Sequence, residues 1–236
     1  MELTYDLHIH SCLSPCGDED MTPANIVGMA AIKNLDCIAL TDHNSCKNCP
    51  AAAHFAKEYG VMFIPGMELT TMEEVHVVCL FPTLDEAMQF DQLVYERLLP
   101  VQNDEQIFGR QIIRNEEDEE CGKVEHLLIN ATSILFDDVF DLLKPYRGVM
   151  IPAHIDKSAN SLLANLGFVP PTAKFRCAEL RDLSKLHELQ KSNEYLKGCT
   201  IITDSDAHYL EHINEPVHSL YVNEKTVDSV LSYLSK

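Results

Sequence analysis

The sequence predicts an α/β fold in which short apolar strands alternate with helices. The order strand, polar cluster, helix recurs roughly seven times along the chain, which is typical of a parallel sheet or a β/α barrel. The chain has 236 residues and is 46% hydrophobic, which is enough to bury a substantial core. In barrels the functional side chains collect at the carboxyl ends of strands, and most of the polar clusters fall there.

The first strand, expected over residues 3–9, carries His8 near its end, and His10 follows it directly. Side chains two residues apart in a strand point to the same side, so these imidazoles form half of a metal site. Thr22 and Pro23 predict the N-cap and first turn of a helix. The next elements are expected as helices at 24–33, 51–59 and 84–98 and strands at 35–40, 61–65 and 75–81.

Residues 100–131 show no clear periodicity and predict an irregular or helical excursion from the main architecture. They include the acidic run at 115–120, which is typical of a solvated loop. Beyond the excursion, the pattern predicts helices at 133–144, 161–167, 183–196 and 227–234 and strands at 148–153, 177–180, 199–203 and 220–222.

Acidic residues outnumber basic ones. The 37 Asp and Glu against 18 Lys and Arg give a formal charge of −19. Such a charge repels a phosphate backbone, so it argues against a nucleic-acid polymer as partner, although a local basic pocket for one small phosphate is still allowed.

The chain carries nine cysteines, and its first residues lead directly into a strand. No apolar run approaches the roughly 18 residues that a membrane span needs. We therefore expect a cytoplasmic protein with free thiols and no membrane partner.

Histidines and acids recur just after the predicted strands. The candidate metal ligands are His8, His10, His43, Glu68, His154, Asp206 and His208, with His76 inside a strand. Imidazole together with carboxylate suits Zn²⁺, Mn²⁺ or Fe²⁺. The remaining histidines fall in predicted helices or loops and are expected at or near the surface.

Six motifs connect these candidates to a known family. They are residues 6–11 (DLHIHS), 40–44 (LTDHN), 66–68 (GME), His76, 152–154 (PAH) and 203–208 (TDSDAH). In this order they resemble the PHP family, the polymerase and histidinol phosphatase domains. The resemblance implies a distorted (β/α)7 barrel, here a single domain over 1–236, that binds two or three divalent metal ions.

The resemblance also implies which residues share a metal ion. His8, His10, Glu68 and Asp206 would hold one ion, and Glu68 would bridge to a second ion held by His76 and His154. His43 and His208 would hold a third ion, together with a ligand from the loop after His10. In this chain we take Asp18 as that ligand, with Asp20 and Glu19 as alternatives.

These residues suit a metal-dependent phosphoesterase, a phosphoric monoester hydrolase acting on a small phosphorylated metabolite. Two cations on a bridging carboxylate lower the pKa of a shared water from about 15.7 toward 7, which gives a hydroxide able to attack phosphorus. We place this water against Glu68, Asp206 and His208. Lys157 and Arg181 follow strand ends and are expected to bind the outer phosphate oxygens.

Two other functions stay open. A metal-dependent amidohydrolase also begins with His-x-His on a strand, but no strand-end lysine suited to carboxylation is present. A regulatory or scaffold protein would keep the barrel without turnover, but the complete ligand set argues against it. The substrate, the native metal and the oligomeric state are not predicted.

The cysteines suggest a rival metal site. Cys12 and Cys16 lie in the first predicted loop, and Cys46 and Cys49 lie in the second. A four-thiolate site for zinc or iron could form between them. A redox-sensitive disulfide is a second alternative, and packing as small apolar residues is a third.

Overall fold

The computed structural model describes all residues, 1–236. Its strands are β1 (Glu2–Ile9), β2 (Cys37–Leu40), β3 (Met62–Thr70), β4 (His76–Leu80), β5 (Ile112–Arg114), β6 (Glu120–Lys123), β7 (Val149–Pro152), β8 (Cys177–Glu179), β9 (Thr200–Ile202) and β10 (Ser219–Tyr221). Its helices are α1 (Pro23–Ile32), α2 (Cys49–Tyr59), α3 (Leu84–Tyr95), α4 (Glu105–Phe108), α5 (Phe136–Leu143), α6 (Leu162–Asn165), α7 (Leu186–Ser192) and α8 (Val227–Leu234). None of these helices has the length and apolar character that a membrane span requires.

Six strands form the main sheet in the order β10-β1-β2-β3-β4-β7. Strands β1, β2 and β3 are parallel, whereas β4 is antiparallel to both β3 and β7. The connection between β3 and β4 is too short for the crossover that a parallel pair needs, so these two strands form a hairpin. The expected parallel arrangement of the strands is therefore interrupted at this point.

The main sheet curls into a half-barrel, and β8 and β9 form a separate parallel pair. Backbone hydrogen bonds connect this pair to the sheet: Ile155 N donates to Glu179 O at 2.9 Å, and His10 N donates to Ala207 O at 2.9 Å. The predicted α/β fold is confirmed. The count of seven β/α units is not confirmed, because antiparallel strands interrupt the repeat.

The inside of the half-barrel is filled by an apolar core. Its residues come from alternate strand positions, such as Leu3, Tyr5 and Leu7 of β1, and α8 adds Val230 and Leu234. Helices α1, α2, α3 and α5 cover the outer face of the sheet through a second apolar cluster. Polar side chains on the inner face can therefore gather only beyond this core, toward one end of the half-barrel.

The excursion at 100–131 contains α4 and the hairpin β5–β6, so it is more ordered than the sequence predicts. It packs against the loop that follows β1. Ile112 N donates to Cys12 O at 3.0 Å, and a Cβ added to Gly109 would lie 2.2 Å from Pro15 O. The excursion therefore supports the loop from which the third metal ligand is expected.

Candidate metal centre

A bulge in β1 directs His8 and His10 into the half-barrel. The pairing of β1 with β2 shifts by one residue between Asp6 and Ile9. Leu7 lies in the inner core before the shift, and Ile9 lies in the outer core after it. The two imidazoles therefore lie above the inner core on the same side, as the His-x-His spacing predicts, with their Nε2 atoms 3.2 Å apart.

Glu68 occupies the centre of the site. The sequence predicts it after a strand that ends at residue 65, but β3 continues to Thr70 because it pairs with β4. Glu68 lies four residues after Ile64 of the inner core, so the period-two pattern points its side chain inward. Its oxygens contact five histidines: Oε1 lies 3.3 Å from His8 Nε2, 2.8 Å from His76 Nδ1 and 3.0 Å from His154 Nε2, and Oε2 lies 3.3 Å from His10 Nε2 and 3.0 Å from His43 Nδ1.

Three groups of side chains have ligand atoms within 4.8 Å of one another. They are His8, His10, Glu68 and Asp206; His43, Glu68 and His76; and His10, His43 and His208. These groups contain every predicted metal ligand except His154 and Asp18. His154 still contacts Glu68 Oε1 at 3.0 Å, so it borders the centre.

Asp18 is not part of the group formed by His10, His43 and His208. Its Oδ1 accepts a hydrogen bond from Asp20 N at 2.9 Å, which uses the carboxylate to stabilise the loop itself. The two alternatives, Glu19 and Asp20, are exposed. None of the three acids completes this group in the structure.

Left-handed backbone occurs at three of the strand ends that form the site. Asn44, which follows His43, has a φ of 49°, and His154 and Asp206 have φ values of 31° and 53°. Residues other than glycine seldom adopt this region, and such strain concentrates at functional sites. The backbone is therefore locally strained at the strand ends that form the site.

Both central carboxylates stay ionised despite their burial. Burial would raise the pKa of Glu68, but neighbouring imidazoles, first His76 and then His8, outweigh it and hold the pKa well below its usual value. Burial would also raise the pKa of Asp206, and the His8 and His10 imidazoles lower it far more. The centre therefore contains two fixed negative charges.

The pKa values of the imidazoles shift in opposite directions. Burial lowers the pKa of His10, but the neighbouring carboxylates of Asp206 and Glu68 raise that pKa overall to about 9. For His43, burial and the nearby His10 lower the pKa, while Glu68 and other partners raise it to about 9. Burial, followed by the charge of His10, lowers the pKa of His208 to about 3.

The residues fit a cluster of divalent cations. His43 Nδ1 and Glu68 Oε2 lie 3.0 Å apart but form no hydrogen bond, and His154 Nδ1 is likewise a buried atom without a hydrogen-bond partner. A buried polar atom that is left unpaired costs about 1–3 kcal/mol, and a cation would satisfy such lone pairs. Imidazole nitrogen and carboxylate oxygen are ligands that suit Zn²⁺, Mn²⁺ and Fe²⁺.

Glu179 was not among the predicted site residues. Its Oε2 lies 2.7 Å from His8 Nδ1, and both side chains are fully buried. Glu179 follows the inward-facing Cys177 by two residues in β8, so the strand period places it on the inner face. A carboxylate on the second ring nitrogen fixes the orientation and tautomer of a metal-binding histidine.

Ser14 and Asp42 were also missed, and they hold the loop after β1 in place. Asp42 Oδ1 accepts hydrogen bonds from Ser11 N at 2.7 Å and from Ser14 Oγ at 2.7 Å. Ser14 Oγ in turn lies 3.0 Å from His10 Nδ1. Asp42 thus positions His10 through Ser14, whereas Glu179 contacts His8 directly.

We expect Glu179→Gln to weaken metal binding by roughly 10–100-fold while the protein stays folded. The amide has nearly the same shape but removes the negative charge that faces His8 Nδ1. Competition titration with a chromogenic chelator measures this change. The same substitution at Glu188, an exposed residue of α7, should have no effect. Equal metal affinity in Glu179→Gln and the wild type would contradict the positioning role.

The two predicted phosphate-binding cations, Lys157 and Arg181, line one cavity of about 560 Å³ together with Lys185. Lys157 Nζ lies 3.0 Å from Asp206 Oδ2, so the cavity borders the candidate metal ligands. Arg181 N donates to Asp156 Oδ1 at 2.8 Å, which fixes the backbone at this position. Phosphate binding by these cations stays a prediction.

The rival four-thiolate site does not form in the structure. Cys12, Cys46 and Cys49 are buried, and Cys16 is exposed. The Sγ atoms of Cys46 and Cys49 lie 3.2 Å and 3.5 Å from Gly66 O, within the outer core. All nine thiols are free, so no disulfide connects the two loops.

Comparison with known proteins identifies the family. A profile of the PHP domain matches residues 6–163, which is more than half of the chain. The chain belongs to the PHP domain family. The matched range includes the candidate ligands from His8 to His154, whereas Asp206 and His208 lie beyond it and join the site through the fold.

Several relatives of this PHP domain are nucleases. A 5'-3' exoribonuclease from Haemophilus influenzae is 35% identical over 83 residues, which are 34% of this chain and 29% of the exoribonuclease. The lesion-specific endonuclease PfuEndoQ from Pyrococcus furiosus matches with a TM-score of 0.68 at 19% identity, over 100% of this chain and 56% of its own. An amidohydrolase from Chromobacterium violaceum matches with a TM-score of 0.62 at 18% identity, over 97% of this chain and 96% of its own. This chain thus spans less than a third of the exoribonuclease, and the structural matches confirm the PHP-like fold.

The prediction that charge argues against a nucleic-acid polymer is wrong. The exoribonuclease resembles 83 residues of this chain, the endonuclease has a region of similar fold, and endonuclease Q has a crystal structure in complex with a 27-mer duplex substrate. Charge effects between exposed groups are screened beyond about 8–10 Å. The net charge of −19 therefore does not determine what binds beside a metal centre.

Proposed function

We propose that this PHP domain is a metal-dependent phosphoesterase. The observation that supports this most is the fully buried Glu68 carboxylate, which contacts five imidazoles and belongs to two of the three ligand groups. Phosphoryl transfer needs fixed positive charge against the phosphate oxygens, and a cluster of imidazoles and carboxylates is suited to holding cations for that purpose.

When bound, divalent cations would lower the pKa of a water molecule and neutralise the oxygens of the reacting phosphate. We assign Glu68, Asp206 and His208 to orient that water. Asp206 stays ionised because its pKa lies well below the usual value, so it can accept a hydrogen bond. His208 Nδ1 lies 2.9 Å from Asp206 O and donates to it, which leaves Nε2 unprotonated and free to bind.

We assign Lys157 and Arg181 to the outer oxygens of the substrate phosphate. Their cavity of about 560 Å³ is within the range that small-molecule sites occupy, so a small phosphorylated metabolite is the first substrate class to test. The end of an RNA or DNA strand presents the same phosphate group, and two of the relatives described above act on nucleic acids. Both substrate classes therefore belong in the experiment.

The experiment is hydrolysis by the purified protein with added Mn²⁺. The substrates are p-nitrophenyl phosphate, a panel of phosphorylated metabolites, and end-labelled RNA and DNA oligonucleotides. We expect hydrolysis of p-nitrophenyl phosphate and of at least one other substrate. His10→Ala should lose metal and reduce activity by on the order of 10³ or more with its circular dichroism unchanged, since metal ions contribute several kcal/mol to catalysis. His187→Ala, an exposed change in α7, should match the wild type.

Each alternative has its own outcome. Bound metal without any phosphoester hydrolysis would contradict the proposal and favour a regulatory protein. Amide hydrolysis without phosphate release would favour an amidohydrolase. Unfolding of His10→Ala would indicate a structural metal instead of a catalytic one.

A further inference from the structure

Asn48 occupies the N-cap position of α2, but its side chain makes no capping hydrogen bond. An asparagine at this position usually accepts a hydrogen bond from a backbone N–H of the first helical turn, which stabilises the helix. The side chain of Asn48 is instead directed away from the helix and is fully buried. Its amide therefore has a role outside the helix that it begins.

The Asn48 amide connects the excursion to the loop after β1. Its Oδ1 accepts a hydrogen bond from Arg114 N at 2.9 Å, and its Nδ2 donates to Ile112 O at 3.1 Å, so it binds both ends of β5. The same Nδ2 donates its second hydrogen to Ser11 Oγ at 2.9 Å. Both amide hydrogens and the amide oxygen are thus used between β5 and Ser11.

The hydrogen bonds continue from Ser11 to His10. Ser11 Oγ donates to Asp42 Oδ2 at 2.6 Å, and Ser14 Oγ donates to Asp42 Oδ1 at 2.7 Å. Because a hydroxyl has only one proton, Ser14 Oγ must accept the hydrogen bond from His10 Nδ1, which lies 3.0 Å away. Nδ1 therefore carries a proton, and Nε2, which lies 3.3 Å from Glu68 Oε2, is the nitrogen that is able to bind a cation.

Water has almost no access to this series of hydrogen bonds. Asn48, Ser11 and Ser14 are fully buried, and Asp42 is 1% exposed. Hydrogen bonds in such surroundings are strengthened by the low dielectric, and a network in which every member is paired has one favoured arrangement. A change at Asn48 is therefore transmitted toward His10 instead of being absorbed by solvent.

We propose that Asn48 is a positioning residue for His10, through which the excursion sets the affinity of the metal centre. The inference rests on the metal centre of the proposed function. Donation by Asn48 leaves the Ser11 proton for Asp42, and Asp42 also accepts from Ser14, which is thereby free to accept from His10. The amide thus favours the ring orientation that directs Nε2 toward bound cations.

Asn48→Asp tests the direction of these hydrogen bonds with little change in shape. The variant keeps an oxygen for Arg114 N but places a second oxygen against Ile112 O and Ser11 Oγ, where a donor is needed. Its carboxylate would compete with Asp42 for the Ser11 proton. We expect the metal-free full-length variant to bind Zn²⁺ about tenfold less tightly than the wild type, as measured by competition with a chromogenic chelator.

Asn103→Asp is the matched control, because it changes another amide of the excursion. Asn103 Nδ2 donates to Gly109 O at 2.9 Å, within the excursion itself. This variant should bind Zn²⁺ as tightly as the wild type. Unchanged Zn²⁺ affinity in Asn48→Asp, or an equal loss in Asn103→Asp, would overturn the proposal.

The His10 ring provides a spectroscopic readout. In the Zn²⁺-loaded protein, NMR follows the exchange of the His10 Nδ1 proton with water. We expect slow exchange in the wild type and in Asn103→Asp, and faster exchange in Asn48→Asp, since loss of the donor to Ser11 loosens the contact between Ser14 and His10. Identical exchange in all three proteins would show that Asn48 does not act on this ring.

A double-mutant cycle with Asn48→Ala and Ser14→Ala tests the route and does not require Asn48→Asp to fold. Each single change should weaken Zn²⁺ binding, and the double variant should bind within about twofold of Ser14→Ala alone, since both act through the same contact to His10. Losses that multiply would show independent effects and refute the route.

None of these measurements involves turnover, so two failures can be distinguished. A protein that hydrolyses phosphoesters but whose Zn²⁺ affinity is unchanged by Asn48→Asp would refute the role of Asn48 alone. A protein that shows the expected changes in Zn²⁺ affinity but hydrolyses no phosphoester would refute only the proposed reaction.

Discussion

Glu68→Gln is expected to remove nearly all bound metal and to lower phosphoester hydrolysis by on the order of 10³ or more. The carboxylate contacts His8, His10, His43, His76 and His154, so it is the one anion shared by the imidazoles of two ligand groups. The amide preserves the size of the side chain but offers one neutral oxygen in place of two charged ones. Without the negative charge of this carboxylate, neighbouring cations would repel each other more strongly.

Metal content by mass spectrometry and initial rates with p-nitrophenyl phosphate measure this effect. Glu74→Gln is the matched control, since Glu74 lies six residues further along the chain and is exposed. It should keep both metal and activity. If Glu68→Gln retained its metal ions and a rate within about tenfold of the wild type, Glu68 would not be the bridging ligand.

The metal-free protein is expected to lose thermal stability as the pH rises from 6.5 to about 9, by on the order of 5 °C or more. In the folded state the carboxylates raise the pKa of His10 and His43 to about 9, from a usual value of 6.5. A group whose pKa is raised on folding contributes its full stabilisation below the unfolded value, and this contribution disappears as the pH passes the folded value.

Other groups at the site act outside this pH range. The pKa of His208 is lowered to about 3, so its contribution to stability is lost only as the pH falls below 6.5. The pKa of Asp6 is raised to about 6, mainly by burial, so its contribution has largely disappeared before 6.5 is reached. The interval between 6.5 and 9 therefore reports on His10 and His43, together with His8, whose pKa is raised by carboxylates against the effect of burial, and Asp204, whose pKa burial and the neighbouring Glu179 raise well above its usual value.

Thermal melts of the chelator-treated protein across this pH range measure the effect. The same protons must leave when metal binds, so Zn²⁺ affinity should rise over the same interval, and calorimetry in two buffers should detect proton release. His187→Ala should reproduce the wild-type profile. A melting temperature that is constant or rises between 6.5 and 9 would show that these imidazoles are not protonated in the folded protein.

The sequence predicts which residues form the site better than it predicts how the strands pair. The candidates His8, His10, His43, Glu68 and His76 are found together because each follows or lies within an apolar strand, and hydrophobic runs are read directly from the chain. The assignment of individual residues to individual metal ions remains a prediction. Strand pairing is not encoded in the same local way, which explains why the antiparallel hairpin of β3 and β4 was not predicted.

The differences between expectation and structure have local physical causes. Asp18 was chosen for its chemistry and loop position, but its carboxylate caps a neighbouring backbone N–H, a preference that competes with metal binding. Glu179 was overlooked although its strand was predicted, because the sequence does not show that Cys177, two residues earlier, faces the inner core. Net charge describes the whole chain, whereas substrate recognition depends on the few ångströms around the site.

The pairing of β1 with β10 has a consequence for how the protein folds. Glu2 lies opposite Tyr221, so the strand that carries two candidate ligands is completed by a segment from the far end of the chain. Contacts between such distant segments require the closure of long loops, which slows folding. Before this pairing forms, β1 has an unpaired edge, which is a site for aggregation, and residues from both ends of the chain must meet before the metal centre is complete.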